Sequence, residues 1–320
     1  MNLGWAVVGV GDITRKRVFA ALRDEPRSRL RAAVTTHPER ARAVCDSYGV
    51  ERIYTTLEEA LADAEVQAVY VATPVFLHRP QTLAALSAGR HVLCEKPTAL
   101  NPGEVDAMIA EARRCRRVLG VAFYRRMYRK VRRALELLRA GAIGRPTLVW
   151  ACAHAWFDDE LLRDRHWFLE EDKSGGGPLM DIGCHRIDLL NFMFGIPQVR
   201  TAVIQNQVHS FSVEDSATVT LEYPGAVRVV LDVRWNSKVS RDEFRIIGTE
   251  GELDLTPLNG PELRCKDALE SAPPHPNLHY PMIENFVSAV VEGAPLVSSA
   301  ETAIETDRAL AAAYAAGGRR

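Results

Sequence analysis

The amino-acid sequence predicts an α/β protein: a doubly wound parallel sheet at the N-terminus, then an α/β domain with a mostly antiparallel, open sheet. Three observations carry the prediction. Short β-rich runs alternate with helical patterns over residues 1–122, a glycine turn links the first run to the first helix, and from residue 146 strands follow one another directly. At 320 residues the chain exceeds one ordinary core and suits two domains of about 100 to 200 residues. They are placed at 1–122 and 123–320.

The first domain opens with the strand LGWAVV, the turn GVGDIT and a helix through VFAALRD. LRAAVTTH is a strand, PERARAVCDSYG a helix, AEVQAVYVATP a strand and RPQTLAALSAG a helix. HVLCEKP, PGEVDAMIAEARRC and VLGVAFY complete the series as strand, helix and strand. A helix in VRRALELLRAGAIGRP leads to the second domain, where PTLVWACAHAW, QVRTAVIQNQV, DSATVTLEYPGAVRVVLDVRW, EFRIIGTEGELDLT and PELRCK read as strands. Turns at Tyr223-Pro224-Gly225 and Thr249-Glu250-Gly251 favour antiparallel connections. This domain carries the helices MDIGCHRIDLLNFMF and YPMIENFVSAVVEG, and ETAIETDRALAAAYAA is a third that suits either domain.

Hydrophobic residues make up 47% and charged residues 25%, a globular composition and not a disordered or membrane-spanning one. Lys+Arg 40 against Asp+Glu 41 leaves a net charge of -1, so the basic excess that binds a phosphate backbone is missing and no nucleic-acid partner is expected. MNLGWAVVGVG lacks a signal peptide's charged start and cleavage site, and no apolar run approaches the eighteen or so residues of a membrane span. A cytoplasmic protein with no membrane partner is the expectation. The six cysteines (Cys45, Cys94, Cys115, Cys152, Cys184, Cys265) form no C-x-x-C pair and are expected as reduced core thiols.

The turn Gly9-Val10-Gly11-Asp12-Ile13-Thr14 follows a strand and opens a helix, the context of a dinucleotide fingerprint. Gly9 permits the tight turn, Gly11 lets the backbone approach a pyrophosphate, and the first N–H groups of the helix face it. Thr14 departs from the strict pattern, which has Gly or Ala there. About twenty residues on, an acid would bond the ribose 2′-OH of NAD, but the strand end reads Thr35-Thr36-His37-Pro38-Glu39-Arg40. Two hydroxyls and a guanidinium suit a 2′-phosphate, so NADP is favoured and NAD stays possible. Lys96, in Cys94-Glu95-Lys96-Pro97, leaves the sheet at the carboxyl end of a strand, where ligands of such sheets sit.

In SGGGPLMDIGCHRIDLL, Asp181 and His185 stand one helical turn apart, with Asp188 three residues further along the same face. Ile182, Ile187, Leu189, Leu190 and Phe194 cover the other sides, so this polar row must face solvent, a cavity or partner residues. By spacing alone Asp181 is more often a dipole-favoured acid at a helix start and His185 a structural histidine. Asp188 suits an orienter that accepts the imidazole N–H. A metal pair at i, i+4 lacks a third ligand of matching spacing, and no metal is expected.

Taken together, GVGDIT, Ala72-Thr73-Pro74 with His78, AGRHVLCEKP, AGAIGRP and SGGGPLMDIGCHRIDLL with its D-x-G-x-H core span almost the whole chain in order. In these pieces the chain resembles the glucose-fructose oxidoreductase, inositol dehydrogenase and rhizopine catabolism (Gfo/Idh/MocA) family. The resemblance implies a Rossmann domain joined to an α/β domain, homodimers or homotetramers through the open face of the second sheet, and nicotinamide-dependent oxidation or reduction of a sugar or polyol. It implies Lys96, Asp181 and His185 as the catalytic group, and Thr73, Pro74, His78 and Glu95 as cofactor contacts. Within the family, Thr35-Thr36 followed by Arg40 is similar to the NADP-binding strand end of the 1,5-anhydro-D-fructose reductases.

The chemistry suits those residues. A ketone accepts a hydride on carbon and a proton on oxygen, and an imidazole with an ordinary pKa near 6.5 exchanges that proton in either direction. A lysine beside the oxygen stabilises developing negative charge. Tyr124 and Arg125, with Arg126 beside them, are candidate cofactor or substrate contacts, as are Trp156, Arg163, His166, Trp167 and Tyr280, although a surface basic run or aromatic packing accounts for them equally well. Two other functions stand beside the oxidoreductase: a non-catalytic nucleotide-binding regulator of the same fold, and an NAD-dependent glycoside hydrolase working by transient oxidation.

Overall fold

The computed structural model describes residues 2–158 and 166–318. Contacts divide the chain into two compact units, Met1–Tyr124 with His275–Ile304, and Arg125–Pro274 with Glu305–Arg320.

The first unit is built on six parallel strands, β1 (Leu3–Val8), β2 (Ser28–Val34), β3 (Arg52–Tyr54), β4 (Ala68–Val71), β5 (His91–Cys94) and β6 (Leu119–Val121), in the order β3-β2-β1-β4-β5-β6. β1 and β4 are buried along their whole length, as a sheet covered on both faces requires. The helices are α1 (Phe19–Asp24), α2 (Pro38–Ser47), α3 (Leu57–Ala62), α4 (His78–Ser87) and α5 (Pro102–Cys115). Strand order reverses between β1 and β4, and the crevice outside the carboxyl ends there is where such sheets hold ligands. The segment β3–α3, within ERIYTTLEEALAD, is absent from the sequence reading. Its strand has three residues, too few for a periodicity, yet α3 starts at a capping box in which Thr56 and Glu59 bond each other's backbone N–H.

The second unit starts with α6 (Arg129–Arg139) and carries α7 (Glu171–Ser174) and α8 (Cys184–Phe194) with eight strands: β7 (Pro146–Trp156), β8 (Gln198–Gln205), β9 (Ser216–Tyr223), β10 (Val227–Arg234), β11 (Asn236–Gly248), β12 (Gly251–Asp254), β13 (Glu262–Cys265) and β14 (Ala268–Ser271). Their order is β14-β13-β12-β11-β7-β10-β9-β8. Neighbours are antiparallel except β7 and β10, which run parallel. Both expected turns connect antiparallel pairs, β9 to β10 and β11 to β12. Burial alternates along β9, where Ala217, Val219, Leu221 and Tyr223 are buried, and on β7 Val149, Ala151 and Ala153 are buried while Trp150 and Trp156 on the other face are about two-fifths exposed. One face is therefore covered and the other open.

The chain then returns to the first unit. In α9 (Tyr280–Glu292), Phe286 packs on Trp5 with ring centroids 5.3 Å apart, and a Cβ on Gly120 would touch its ring at 3.0 Å. Ser298 extends the edge of β6, its carbonyl accepting the Val121 N–H at 3.0 Å and its hydroxyl donating to the Val121 carbonyl at 2.8 Å. The last helix, α10 (Ala300–Ala316), starts in the first unit and continues in the second. Four of the cysteines are buried as expected, but Cys115 and Cys265 are partly exposed. Among the described residues no helix is long and apolar enough to cross a membrane, and no group of three or more His, Cys, Asp or Glu could hold a metal ion.

His91, at the head of β5, accepts the Val118 N–H on Nδ1 at 3.1 Å. Burial, and then the charge of Arg117, push its pKa down to about 4. The unfolded chain takes up this proton near pH 6.5 and the folded one resists it to about 4, so this contribution is complete above pH 6.5 and is lost as pH falls through that window. The urea midpoint should fall correspondingly, and less steeply in His91→Asn, whose amide oxygen accepts the same N–H without titrating. Equal slopes in both proteins would refute this role.

Candidate active site

The carboxyl edge of the first sheet gathers four of the expected segments side by side. Gly9 follows β1 with φ +95°, and a Cβ there would stand 2.6 Å from the Ala72 carbonyl oxygen just past β4. It is glycine for conformation and for packing at once. Gly11 is different. A Cβ on it would meet nothing within 4 Å, and its φ lies outside the left-handed range. Nothing within the chain demands a glycine there, whereas close approach of an outside group does, so the turn fits a dinucleotide pyrophosphate. Thr14, the departure from the strict pattern, is fully buried and its hydroxyl donates to the Gly9 carbonyl at 2.7 Å, bracing the turn. The helix it opens begins as a wide π turn, Thr14–Val18, a distortion that recurs at functional sites. Asp12 pairs with Lys16 at 2.9 Å, and Ile13 precedes the π turn.

At the end of β2, the Thr35 side-chain oxygen accepts the His37 N–H at 3.2 Å, while Thr36 and Arg40 are exposed. Sequence reasoning missed Arg15 here. Its Nε donates to the Val10 carbonyl at 3.1 Å and its Nη2 to the Arg40 carbonyl at 3.4 Å, so its guanidinium spans from the glycine turn to the first turn of α2. Past β4 and β5, His78 is buried with its two ring nitrogens each 2.9 Å from a backbone carbonyl, that of Pro97 and that of Thr73. It ties the Thr73-Pro74 segment to the loop that carries Lys96. Burial lowers its pKa, against the pull of those carbonyls.

Lys96 is half-buried, and its backbone N–H donates to Glu95 Oε2 at 3.1 Å. Glu95 itself is buried. Its Oε1 accepts the Tyr70 hydroxyl at 2.7 Å and His279 Nε2 at 3.2 Å. Burial pushes the carboxyl up, but His279, the Tyr70 hydroxyl and the Lys96 charge outweigh it and hold Glu95 below the ordinary carboxylate range. His279 stacks on Tyr124, centroids 4.6 Å apart. Tyr70 and His279 were not among the sequence candidates. Tyr280, which was, stacks on His275 at 4.8 Å.

In the second unit Asp181 lies in a π turn, Leu179–Gly183, that runs directly into α8 with His185. The preceding glycines have a structural cause. A Cβ on Gly177 would strike the Glu214 carbonyl at 2.0 Å and one on Gly176 the Tyr314 hydroxyl at 2.0 Å. This closeness lets the buried Glu214 carboxylate accept the N–H groups of Gly177 (3.0 Å) and Leu179 (3.1 Å) and the Tyr314 hydroxyl (2.8 Å), capping the start of the helix. The polar row faces inward, with His185 3% and Asp188 1% exposed. Asp188 is engaged by Arg126, which reaches both of its oxygens in a buried fork at 2.5 to 3.1 Å. Arg126 is thereby a structural partner. Arg125 is also buried and donates to Asn259 at 3.3 Å. Trp167 stands edge-on to Phe168 at 5.4 Å, Trp156 packs on His209 at 4.9 Å, and His166 is exposed. Arg163 lies outside the described residues.

Comparison with known proteins agrees with this geometry. Residues 3–123 match the model of the oxidoreductase family with an NAD-binding Rossmann fold, GFO_IDH_MocA, and residues 131–254 match the GFO/IDH/MocA C-terminal domain. The 1,5-anhydro-D-fructose reductase of Ensifer adhaerens is 30% identical over 295 residues, covering 89% of this chain and 87% of the relative. The trans-1,2-dihydrobenzene-1,2-diol dehydrogenase of Mus musculus is 30% identical over 278 residues, 86% of this chain and 81% of the relative. Among solved structures, the aldose-aldose oxidoreductase of Caulobacter crescentus superposes with a TM-score of 0.90 at 26% identity, covering 99% and 98% of the two chains. GenD2 from gentamicin A biosynthesis, in complex with NAD, superposes at 0.85 with 29% identity, over 99% and 94%.

The two glycines of the turn separate folding from binding. Gly9→Ala is expected to cost at least about 1 kcal/mol of stability through its strained φ and its clash. Gly11→Ala should leave the Tm unchanged and lower dinucleotide affinity at least about tenfold, read by titration of cofactor fluorescence. A Gly11→Ala protein that binds normally would refute the assignment of the turn.

Proposed function

This chain belongs to the GFO/IDH/MocA family of NAD(P)-dependent oxidoreductases, and we propose that it interconverts the alcohol and ketone forms of a sugar, polyol or sugar-derived ketone, with NADP preferred. The observation that carries the reading is the carboxyl edge of the first sheet, where a turn fitted to a pyrophosphate lies in one row with the backbone-anchored Lys96. A bound nicotinamide supplies the hydride that reduces a ketone carbon and accepts it in the reverse direction. His185 gives the proton to the oxygen that becomes the alcohol, or takes it in oxidation. Lys96 stabilises the negative charge that develops on that oxygen, and Asp181 binds a substrate hydroxyl. Tyr124, Arg125, Trp167 and Tyr280 are secondary candidates for substrate contact, and the half-exposed Trp167 fits the stacking face of a sugar.

Preference for NADP rests on the strand end. Thr35 and Thr36 stand where an acid would repel a 2′-phosphate, and Arg40 and Arg15 both belong to the adjoining turns. Homodimers or homotetramers would form through the open sheet face, whose Trp150 and Trp156 offer apolar area.

Lys96→Ala and His185→Ala should each lower kcat at least about 100-fold with cofactor affinity changed less than about threefold. The assay is nicotinamide absorbance over a panel of sugars, polyols and dicarbonyl sugars with both cofactors. Full turnover in either variant would overturn its role.

Cofactor choice is tested without turnover. The protein should bind 2′,5′-ADP more tightly than 5′-ADP, and Arg40→Ala and Arg15→Ala should each narrow that ratio about tenfold, the worth of one charge-assisted hydrogen bond. Equal binding of the two nucleotides by the unmodified protein would refute the NADP preference.

A further inference from the structure

Lys96 sits on a loop, and a loop lysine has four side-chain torsions and a mobile backbone to restrain before its ammonium can serve one oxygen atom. The carboxylate next to it is placed to restrain that backbone. Glu95 Oε2 accepts the Lys96 N–H itself (3.1 Å), while Oε1 is held from two sides by Tyr70 on β4 (2.7 Å) and by His279 (3.2 Å). A buried carboxylate with only one backbone partner would relieve its burial by taking a proton or by swinging out. The two donors on Oε1 remove both options.

His279 is in turn fixed. Its backbone N–H donates to the Asn277 side chain at 3.0 Å, and the Asn277 amide donates to the Arg17 carbonyl at 2.9 Å, in the π turn that follows the glycine motif. Its ring lies on Tyr124, and the Arg17 guanidinium stands 5.6 Å from the same tyrosine ring. A continuous set of contacts therefore runs from the cofactor turn through Arg17, Asn277 and His279 to Glu95 and the backbone of Lys96, entirely within the first unit. The residue that closes it comes from the C-terminal return, 184 positions from its partner.

We propose that His279 and Tyr70 are positioning residues for Lys96, acting through Glu95, so that the C-terminal segment holds the lysine in its working place. This rests on the reading of Lys96 as the group that stabilises charge on the substrate oxygen. Neither residue touches the reacting atoms. Their loss lowers the fraction of time in which the lysine is in position, and so acts on kcat and leaves cofactor binding alone.

The test compares His279→Leu, His279→Gln, Tyr70→Phe and Lys96→Ala in the full-length protein, with kcat, KM, cofactor Kd and Tm measured for each. His279→Leu is expected to lower kcat by about 10- to 100-fold with cofactor Kd changed less than about threefold. His279→Gln, which keeps an N–H for Glu95, should recover most of that loss, and Tyr70→Phe should cost about threefold to tenfold in kcat. If His279→Leu fails to fold, the glutamine and phenylalanine variants carry the test. Should the folded variants at 279 and 70 all keep kcat within about twofold while Lys96→Ala abolishes turnover, the positioning role is overturned and the lysine reading stands. A glutamine variant as poor as the leucine one overturns the hydrogen-bond route. Full activity in Lys96→Ala overturns the reading of the lysine itself.

Discussion

The contact between Gly9 and the Ala72 carbonyl sets the geometry of the first unit's working edge. No side chain fits between them, so β1 turns directly against the end of β4, and β2, β1, β4 and β5 finish as one row. Everything laid along that row inherits its precision. Thr14 closes the turn from inside, Arg15 spans from it to α2, His78 ties the segment after β4 to the loop after β5, and Glu95 anchors the backbone of Lys96. Each of these bonds ends on backbone, which makes the edge stiff where side-chain pairs alone would leave it compliant.

The second unit meets a different demand, that of carrying ionisable groups on a buried helix. Asp188 and Arg186 on α8 and Glu214 beneath its start are all nearly inaccessible to water. A buried charge is tolerated only with a partner, and removal of one member of such a pair typically costs about 3 to 5 kcal/mol. Arg126 answers Asp188, Asp242 answers Arg186 at 2.5 Å, and two backbone N–H groups with a tyrosine hydroxyl answer Glu214. These pairings admit one rotation of the helix about its axis. The direction of His185 is thereby set by neighbours on its own element.

Much of this was legible in the sequence because it is local. Strand and helix periodicities, the two hairpin turns and the glycine motif each depend on a few adjacent residues, and the matched motifs in order name the family. The failures also have a pattern. Three-residue β3 and the largely exposed, four-residue β14 are too short to show a period. The polar row of α8 is readable, but Arg126 lies 62 positions from Asp188 and Glu214 lies 35 from Leu179, and no local pattern joins them. Tyr280 draws attention by its type, while the neighbouring His279 reaches Glu95 only because the chain comes back to the first sheet. Arg15 reads as an ordinary exposed helix charge until the turn beside it is seen.

That return has a consequence for how the protein is made. The first unit is not finished when its sheet has been synthesised: Trp5 lacks Phe286, the edge of β6 lacks Ser298 and Glu95 lacks His279 until the chain beyond residue 298 has left the ribosome. By then the strands of the second sheet have all emerged. An emerging chain must therefore keep the apolar side of its first sheet from wrong partners through the synthesis of an entire second fold, and contacts of such long sequence separation are the slow ones to form. The contact that braces the lysine loop is accordingly completed only by the C-terminal return, although the lysine belongs to the first third of the chain.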